Sequence, residues 1–445
     1  MAWPLRPLQQ LQQRLGALGT LGSAKPMPQA RCRTALSNQP ALEAAVADLA
    51  QQLQANGPQS IHPAQPAQLA LVFCSTAYAT DLQRLLPLLR QAIPSQRWIG
   101  CAGGGVVGTA ADGEPHELEQ QPGISVSLLW LPGAQLQVFQ VQGDDLPDLD
   151  GPSQAWADWV GGNPEGVHSM LLFIDPGCPG INDLISGLDY AYPAAAKVGG
   201  IAGQHNASHG SLLVDDQVVG GAVGCLISGS WRIDPVVAQG CKPIGPVFEV
   251  EQAERNVVQR LSSADQQGTP VACLQGILEG LEPRERELVR HSLFLGVAKN
   301  SFQLHGNGDG DAPAFLVRNL IGVDPRTGSV AVGERLRVGQ RVQFQLRDAD
   351  ASRQEQRQLL SQQSRRQPQP LAALLFACLG RGEGLYGTPD GDVQACREQF
   401  AAVPVAGAFC NGEIGPVAGV THLHGYTASW GFLVPHGGDT NADAS

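Results

Sequence analysis

Residues 169–203 read SMLLFIDPGCPGINDLISGLDYAYPAAAKVGGIAG, and the fold class follows from this stretch. It contains an apolar strand, a loop rich in Gly and Pro, a helical segment, a proline near the helix end and a second apolar strand that closes in glycines. Residues 69–105 and 372–412 repeat this order. The spacing of roughly thirty residues is that of one βαβ unit. The sequence therefore predicts an α/β fold built from repeated β-α-β units.

The segments between the units predict strands that turn back on themselves. Residues 124–142 predict two strands around Pro132–Gly133, residues 211–229 predict two strands around an Asp-Asp turn, and residues 420–434 alternate like a strand. Hairpins place neighbouring strands antiparallel, so the sheets should be mixed. Further along, we expect a strand that becomes a helix over 247–261, strands over 293–300 and 315–324, a small β-meander over 325–348 and a polar helix over 349–366.

The length of 445 residues is too great for one compact core and predicts two domains. We place an N-terminal extension at residues 1–40, an N-terminal domain at 41–245, a C-terminal domain at 246–434 and a disordered tail at 435–445. Within the extension, leucines at helical spacing over residues 5–15 predict a short amphipathic helix.

Composition excludes several classes of partner. The net charge is −12 and no basic run could neutralise phosphates, so we expect no nucleic acid. No apolar run is long enough for a membrane span, and no secretory signal is evident. The ten cysteines form no C-x-x-C pair, which is typical of free thiols in a reducing compartment. We therefore expect a cytoplasmic protein, and no motif predicts a cofactor.

Two loops at strand ends are the main candidates for a binding site. Residues 377–382 read ACLGRG, where Cys378 ends a strand, Gly380 and Gly382 let backbone amides approach a ligand, and Arg381 could fork onto a carboxylate. The alternative is a tight turn with an exposed arginine and a core thiol. Residues 411–416 read NGEIGP, where Asn411 is both donor and acceptor, Gly412 frees the backbone and Glu413 could bind an amine. Ordinary turn geometry would also explain these glycines.

A third candidate is Arg318–Asn319 in FLVRNLIGVD. Strand alternation places Arg318 among apolar neighbours, where a charge needs a partner or a ligand. Pairing with Asp324 or Glu413 is the structural alternative. A fourth candidate is His422 with His424, on one face of a strand, which together with Glu413 could form a metal set of two histidines and one carboxylate.

The chain resembles FIST-domain proteins, most specifically in the blocks GCKPIGP (240–246), ACLGRG and NGEIGP. The resemblance covers roughly residues 40–434, with a FIST N-like domain at 41–245 and a FIST C-like domain at 246–434. It implies a sensory module for small ligands, amino acids among them, often joined to a signalling domain or an F-box. By position it singles out Arg318, Asn319, Cys378, Gly380, Arg381, Asn411, Gly412 and Glu413. Together with Gly382 of the first loop, these are the predicted ligand-binding residues.

Three functions therefore stand as hypotheses. The first is a binding module for a small polar ligand, with the opposite charges suited to an amino acid. No output domain is recognisable, so we expect the output to come from a signalling protein partner or from the module alone. The second is an enzyme that uses Cys378 as nucleophile or a Glu413–His422–His424 metal centre. The third is a protein-interaction scaffold. The first is favoured, and an enzyme is the less favoured reading.

Overall fold

The computed structural model describes residues 29–55, 65–299 and 315–437. Within these ranges one order of elements occurs three times: strand, helix, strand, helix and four strands. The predicted amphipathic helix near residues 5–15 and most of the predicted tail lie outside the described residues. None of the described helices is long and apolar enough to cross a bilayer.

The first repeat contains β1 (Arg31–Ser37), α1 (Leu42–Ala55), β2 (Ala67–Ser75), α2 (Leu82–Ala92), β3 (Ser95–Gly103), β4 (Gly105–Thr109), β5 (Pro115–Glu119) and β6 (Ile124–Trp130). The second contains β7 (Ala134–Val141), α3 (Ser153–Val160), β8 (Val167–Ile174), α4 (Ile181–Ala191), β9 (Ala196–Ile201), β10 (Leu212–Val214), β11 (Gln217–Val219) and β12 (Ala222–Gly229). Strand β1 lies within the stretch predicted as an extension, yet it pairs with β6 along its whole length.

The third repeat contains β13 (Trp231–Ala238), α7 (Ala349–Arg366), β21 (Ala372–Cys378), α8 (Glu383–Tyr386), α9 (Gly391–Gln399), β22 (Val405–Cys410), β23 (Gly412–Val417), β24 (Val420–His424) and β25 (Ala428–Pro435). An inserted unit separates β13 from α7. It contains β14 (Cys241–Glu254), β15 (Val257–Ser262), β16 (Gln267–Gly268), α5 (Pro270–Glu279), α6 (Pro283–Val289), β17 (Leu293–Ala298), β18 (Phe315–Val323), β19 (Val330–Val332) and β20 (Arg341–Arg347).

Three mixed sheets form the body of the molecule, as the predicted fold class requires. Their strand orders are β1-β6-β2-β3-β10-β11, β24-β23-β9-β8-β12-β7 and β13-β25-β21-β22-β4-β5. Each repeat passes two strands to a neighbour's sheet: β4 and β5 join the third sheet through β22, β10 and β11 join the first through β3, and β23 and β24 join the second through β9. The predicted turn at Pro132–Gly133 joins two strands, but β6 and β7 belong to different sheets, so they form no hairpin. Hydrogen-bonded sheets cross the predicted boundary at residue 245, which remains a prediction.

The inner faces of the three sheets pack against one another around a central axis. Phe73, Phe173 and Phe376 meet there, with ring centroids 5.6 to 5.8 Å apart. The residue before each of these phenylalanines pairs with a glycine of the neighbouring parallel strand. A Cβ on Gly199 or Gly407 would lie 1.8 Å from a carbonyl oxygen of that partner residue. These glycines let the parallel strands approach closely near the axis.

Helices cover the outer faces of the sheets. Helix α2 buries Leu82, Leu85, Leu86 and Leu89, the three- and four-residue spacing of an amphipathic helix, against the first sheet. Helices α3 and α4 cover the second sheet, and α7 and α9 cover the third. Helix α7 occupies the residues predicted for a polar helix and begins at Asp348, whose side chain accepts from the Asp350 and Ala351 amides.

The inserted unit is a closed antiparallel barrel. Its strands follow the order β14-β20-β17-β18-β19-β15, and β15 pairs back with β14. Residues 247–261, predicted to become helical, instead form the hairpin β14–β15, whose Val250, Val258 and Leu261 fill the barrel core. The predicted strands and meander after residue 293 are present as β17 to β20. We call the inserted unit the barrel and the three packed sheets with their helices the body. Together they confirm the predicted mixed α/β architecture with two units.

Candidate functional site

The glycine-rich segments that close the three units meet at one end of the central axis. The amide of Gly104 donates to the Phe409 carbonyl at 2.9 Å, that of Gly203 to the Ala102 carbonyl at 2.7 Å and that of Asn411 to the Ile201 carbonyl at 3.0 Å. The carboxyl ends of the parallel strands point to this end. The two predicted loops are also neighbours, because Cys378 pairs with Cys410 and the Leu379 amide donates to the Cys410 carbonyl at 3.1 Å.

Glu413 occupies a position where the other two repeats carry an aliphatic residue. It pairs with Gly200 in the second sheet, as Leu212 pairs with Cys101 in the first and Val106 with Ala408 in the third. Its side chain is fully buried. One carboxyl oxygen accepts from the Thr427 amide at 3.1 Å, and the other has no hydrogen-bond partner among the described residues. Burial raises the pKa of Glu413 well above its usual range.

Cys378 lies beside Glu413 and remains partly exposed. Burial, with a further contribution from the charge of Glu413, raises the pKa of Cys378 to about 11. The group is therefore a neutral thiol at physiological pH, whereas nucleophilic cysteines depend on the thiolate. The geometry favours Cys378 as a packing and contact residue at the mouth of the site.

Arg381 is buried completely and holds its own loop in place. Its guanidinium makes two hydrogen bonds to Asp392, at 2.8 and 2.7 Å, and further bonds to Ser352 at 3.0 Å and Gln356 at 2.9 Å. The acceptors come from α7 and α9, so the arginine ties the loop after β21 to the helices that cover the third sheet. A side chain with this many internal partners positions the loop and does not reach a ligand without breaking them.

The glycines of the same loop have structural roles. Gly382 has a φ of 59°, and a Cβ there would lie 2.1 Å from the Glu119 carboxylate, which accepts from the Glu383 amide. The carbonyl of Gly380 accepts from Arg347 of the barrel. A backbone contact therefore links this loop to the barrel directly.

Arg318 reaches the same junction from the barrel. Its Nε donates to Glu334 at 2.7 Å and its Nη1 donates to the Leu423 carbonyl at 2.9 Å. The predicted pairing with Asp324 or Glu413 is wrong, because Glu334 is the partner. Asn319 is exposed, and only its backbone is engaged, accepting from the Gly333 amide.

The remaining predicted residues of the NGEIGP block lie beside the axis. Asn411 is exposed and donates from its side chain to the Ala202 carbonyl at 3.1 Å. Gly412 is buried, and a Cβ there would lie 2.9 Å from the side chain of Leu423. The block therefore places one exposed amide and one buried carboxyl side by side.

His422 and His424 share a face of β24, with ring centroids 6.1 Å apart. Burial lowers the pKa of His422 to about 4 and that of His424 to about 3, so both are neutral at physiological pH. His424 Nε2 contacts the Gly415 carbonyl at 2.9 Å, which leaves Nδ1 as the acceptor. Among the described residues no three His, Cys, Asp or Glu side chains are arranged to hold a metal ion, so the proposed Glu413–His422–His424 set does not form.

Sequence reasoning missed the residues that the barrel and the β24–β25 turn contribute. The guanidinium of Arg347 stacks 4.6 Å from the ring of Tyr426, which in turn contacts Phe294 edge-on at 4.9 Å. Tyr426 has a φ of 65°, a conformation that is rare outside glycine and recurs at functional sites. Strand β20 alternates strictly, with Val342, Phe344 and Leu346 inside the barrel, so its pattern did place Arg347 on the outer face. Nothing in the pattern indicated which surface that face covers.

Buried polar atoms without a partner collect at this contact between barrel and body. Within the described residues they include Glu413 Oε1, Arg347 Nε, His422 Nε2 and His424 Nδ1. In folded proteins most buried polar atoms have a hydrogen-bond partner, and exceptions mark places where something else is accommodated. We call the group Cys378, Glu413, His424, Arg347 and Tyr426 the junction site.

Comparison with known proteins agrees with the blocks that the two loops belong to. A family model of the FIST N domain matches residues 68–263, and one of the FIST C domain matches residues 270–416. An uncharacterized protein of Mycobacterium tuberculosis is 33% identical over 370 residues, covering 82% of this chain and 91% of that protein. An uncharacterized protein of Mycobacterium bovis is 34% identical over 370 residues, covering 82% of this chain and 90% of its own length.

A search of solved structures finds the crystal structure of a "cyanuic acid hydrolase from A. caulinodans", which covers 92% of this chain and 100% of that chain at 8% identity. The TM-score of 0.31 is too low to support any argument. FIST domains, in contrast, are generally regarded as ligand-binding modules of sensory and signal-transduction proteins. The FIST N and FIST C models match consecutive parts of this chain, and the two mycobacterial relatives align with 82% of its length. The chain therefore belongs to the FIST family.

Proposed function

We propose that this protein is a sensory module that binds a small polar molecule at the junction site, and that the ligand carries an amino and a carboxylate group, as an amino acid does. The observation that supports this most is Glu413. A buried carboxyl group is costly unless it is paired, and the other two repeats carry an apolar residue at its position. Apart from the bond that one of its oxygens accepts from the Thr427 amide, Glu413 has no role in the body that an aliphatic side chain could not fill.

The free oxygen of Glu413 suits a ligand amine. Burial raises the pKa of this carboxyl well above its usual range, which favours its protonated form before the ligand arrives. An ammonium group placed against it would favour the ionised form, and a proton would leave on binding. Binding should therefore strengthen as the pH rises, until Glu413 is ionised without the ligand.

Arg347 suits the carboxylate of the same ligand. Its Nε has no partner among the described residues, and stacking on Tyr426 fixes the plane of the guanidinium. A fixed guanidinium can make two parallel hydrogen bonds to a carboxylate. Arg347 takes this role rather than Arg381 or Arg318, because those two form ion pairs within the protein. Arg347 uses one Nη on the Gly380 carbonyl but forms no ion pair among the described residues.

The residues around the junction site also provide access and a readout. Leu379 and Asn411 are exposed, and Cys378, Gly380 and Tyr426 are partly exposed, so the site opens to solvent beside the axis. Since Glu413 belongs to the body and Arg347 to the barrel, a ligand that bridges them would hold the two units together. Ligand binding would thereby fix the position of the barrel relative to the body, and a signalling partner could recognise the fixed arrangement.

Calorimetric titration with the common amino acids tests the proposal. At least one should bind wild-type protein, and Glu413→Gln should weaken it by about tenfold or more, since a charge-assisted hydrogen bond contributes about 1.5–3 kcal/mol. The wild-type affinity should rise by up to about tenfold per pH unit while Glu413 titrates, and the variant should lose that dependence.

Glu117→Gln is the matched control. Glu117 is also a buried carboxyl with an oxygen that lacks a partner among the described residues, but its other oxygen accepts from the Asp392 and Val393 amides at the start of α9, and neither of these residues belongs to the junction site. The control should bind like the wild type. Equal affinity in Glu413→Gln and the wild type would remove the site assignment, and no binding by any amino acid would remove the ligand class.

A further inference from the structure

The loop after β19 presents two arginines to solvent on a fixed backbone. Residues 334–337 read ERLR, and Leu336 is buried in the barrel core. Glu334 also faces the protein, where it pairs with Lys299 at 2.5 Å and Arg318 at 2.7 Å. Extended chain alternates its side chains, so Arg335 and Arg337 point outward together, and both are exposed.

Hydrogen bonds hold this loop at several points. The Gly333 amide donates to the Asn319 carbonyl at 2.9 Å, and the Leu336 amide donates to the Arg255 carbonyl at 2.9 Å. The Arg337 amide donates to the side chain of Gln340 at 3.1 Å. The bond to Arg255 brings in a third exposed arginine, whose own backbone has a φ of 54° at the tip of the β14–β15 hairpin.

These three arginines line one concave pocket. The cavity has a volume of about 460 Å³, and its lining consists of Arg255, Glu334, Arg335, Leu336 and Arg337. Ligand pockets for small molecules span about 300–1,000 Å³. The cavity therefore has room for a group of the size of a phosphorylated metabolite.

The charge of the pocket is positive and uncompensated. Over the part of the chain that the structure describes, none of the three guanidinium groups forms an ion pair or a side-chain hydrogen bond. Among the described residues that line the pocket, Glu334 is the only acidic one, and its carboxylate is already matched by two cations on the inner side. Such a concentration of positive charge stands out on a chain with a net charge of −12.

We propose that this arginine pocket binds the phosphoryl group of a small phosphorylated molecule. Guanidinium groups match phosphate oxygens with two parallel hydrogen bonds, and three of them converging on one cavity select a multiply charged anion over a single carboxylate. The pocket lies on the outer side of the loop whose inner residue, Glu334, holds Arg318 at the contact between barrel and body. It is a second site, and its existence does not depend on the ligand of the junction site.

Calorimetry with inorganic pyrophosphate, a nucleoside diphosphate and a phosphoserine peptide tests the proposal at fixed ionic strength. The double variant Arg335→Gln/Arg337→Gln should bind pyrophosphate and the nucleotide at least about tenfold more weakly than the wild type, because it loses two charge-assisted hydrogen-bonding groups. Thermal unfolding should be nearly unchanged, since both side chains are exposed.

The variant Arg365→Gln is the control, because Arg365 is also exposed and is not among the residues that line this pocket. It should bind pyrophosphate like the wild type. Equal weakening in Arg365→Gln would show a diffuse charge effect and overturn the site. Absence of binding by the wild type, or binding of the phosphopeptide alone, would overturn the assignment to a small phosphorylated ligand.

Discussion

The guanidinium of Arg381 is the largest charged group that is fully buried in the described residues. Four neighbours make this burial possible: Asp392 neutralises the charge, and Ser352, Gln356 and Tyr386 surround the remaining N–H groups. Breaking a buried ion pair by removing one partner leaves the other charge uncompensated and costs about 3–5 kcal/mol. Arg381 therefore stabilises the fold of the third repeat.

Replacing Arg381 with Met should accordingly lower the free energy of unfolding by about 3–5 kcal/mol. Urea denaturation followed by circular dichroism measures it. The control is Arg357→Met, which removes an exposed ion pair between α7 and α9, formed by Arg357 and Glu398 at 2.8 Å. That variant should lose no more than about 1 kcal/mol. If Arg381→Met were as stable as the wild type but bound the ligand less tightly, Arg381 would be a ligand residue after all.

Among elements, β24 carries the most pH-sensitive part of the junction. Burial lowers the pKa of His424 to about 3 from an ordinary value of 6.5. The unfolded chain takes up a proton on this imidazole below about pH 6.5, whereas the folded chain does so only near pH 3. The contribution of neutral His424 to the free energy of unfolding is therefore complete above pH 6.5. It is lost as the pH falls towards the pKa of the folded state, about 3.

Between pH 7.5 and pH 5 this difference corresponds to about 2 kcal/mol of unfolding free energy from His424. The variant His424→Gln keeps a donor for the Gly415 carbonyl but does not titrate. Urea denaturation at the two pH values should show a loss in the wild type that exceeds the loss in the variant by about that amount. The control His291→Gln, at an exposed histidine, should lose as much unfolding free energy as the wild type between the two pH values. An equal loss in His424→Gln and the wild type would contradict a buried neutral His424.

The elements also show where the sequence pattern is informative and where it is silent. The apolar runs that predicted β2–β3, β8–β9 and β21–β22 are strong because a parallel pair is buried on both sides. The pattern could not show that β4, β10 and β23 leave their own repeat, since a strand's partner is not encoded next to it. The pattern of residues 247–261 predicts a strand that becomes a helix, whereas the whole interval forms a hairpin because its apolar side chains fill the barrel core.

At the scale of the whole molecule, the third repeat differs from the other two most by a large insertion. The first two connect their opening strand to their first helix directly, whereas the third inserts the barrel between β13 and α7. Cys378 and Glu413 were predictable because they lie at strand ends of one unit. Arg347 was not, because it enters the junction site only when the barrel packs on the loop after β21. The site is thus a property of the assembly of the two units.

The barrel should be separable from the body. Its first and last residues, Cys241 and Arg347, are paired across adjacent strands, so its two ends lie side by side. It also has its own core, in which Phe248 and Phe344 contact edge-on. Replacing residues 241–347 with a short Gly-Ser linker should give a body that unfolds cooperatively, with a midpoint within about 10 °C of the full chain.

The shortened protein should bind no amino acid, because it lacks Arg347 and the face that covers Tyr426, while the separate barrel should fold and keep its affinity for pyrophosphate. Circular dichroism, thermal unfolding and calorimetry on the two pieces measure these outcomes. A body that fails to fold would mean that the barrel completes the third repeat and is more than a cover for the junction site. A body that folds and still binds the amino acid would place the ligand wholly between the three repeats, at the glycine-lined end of the axis.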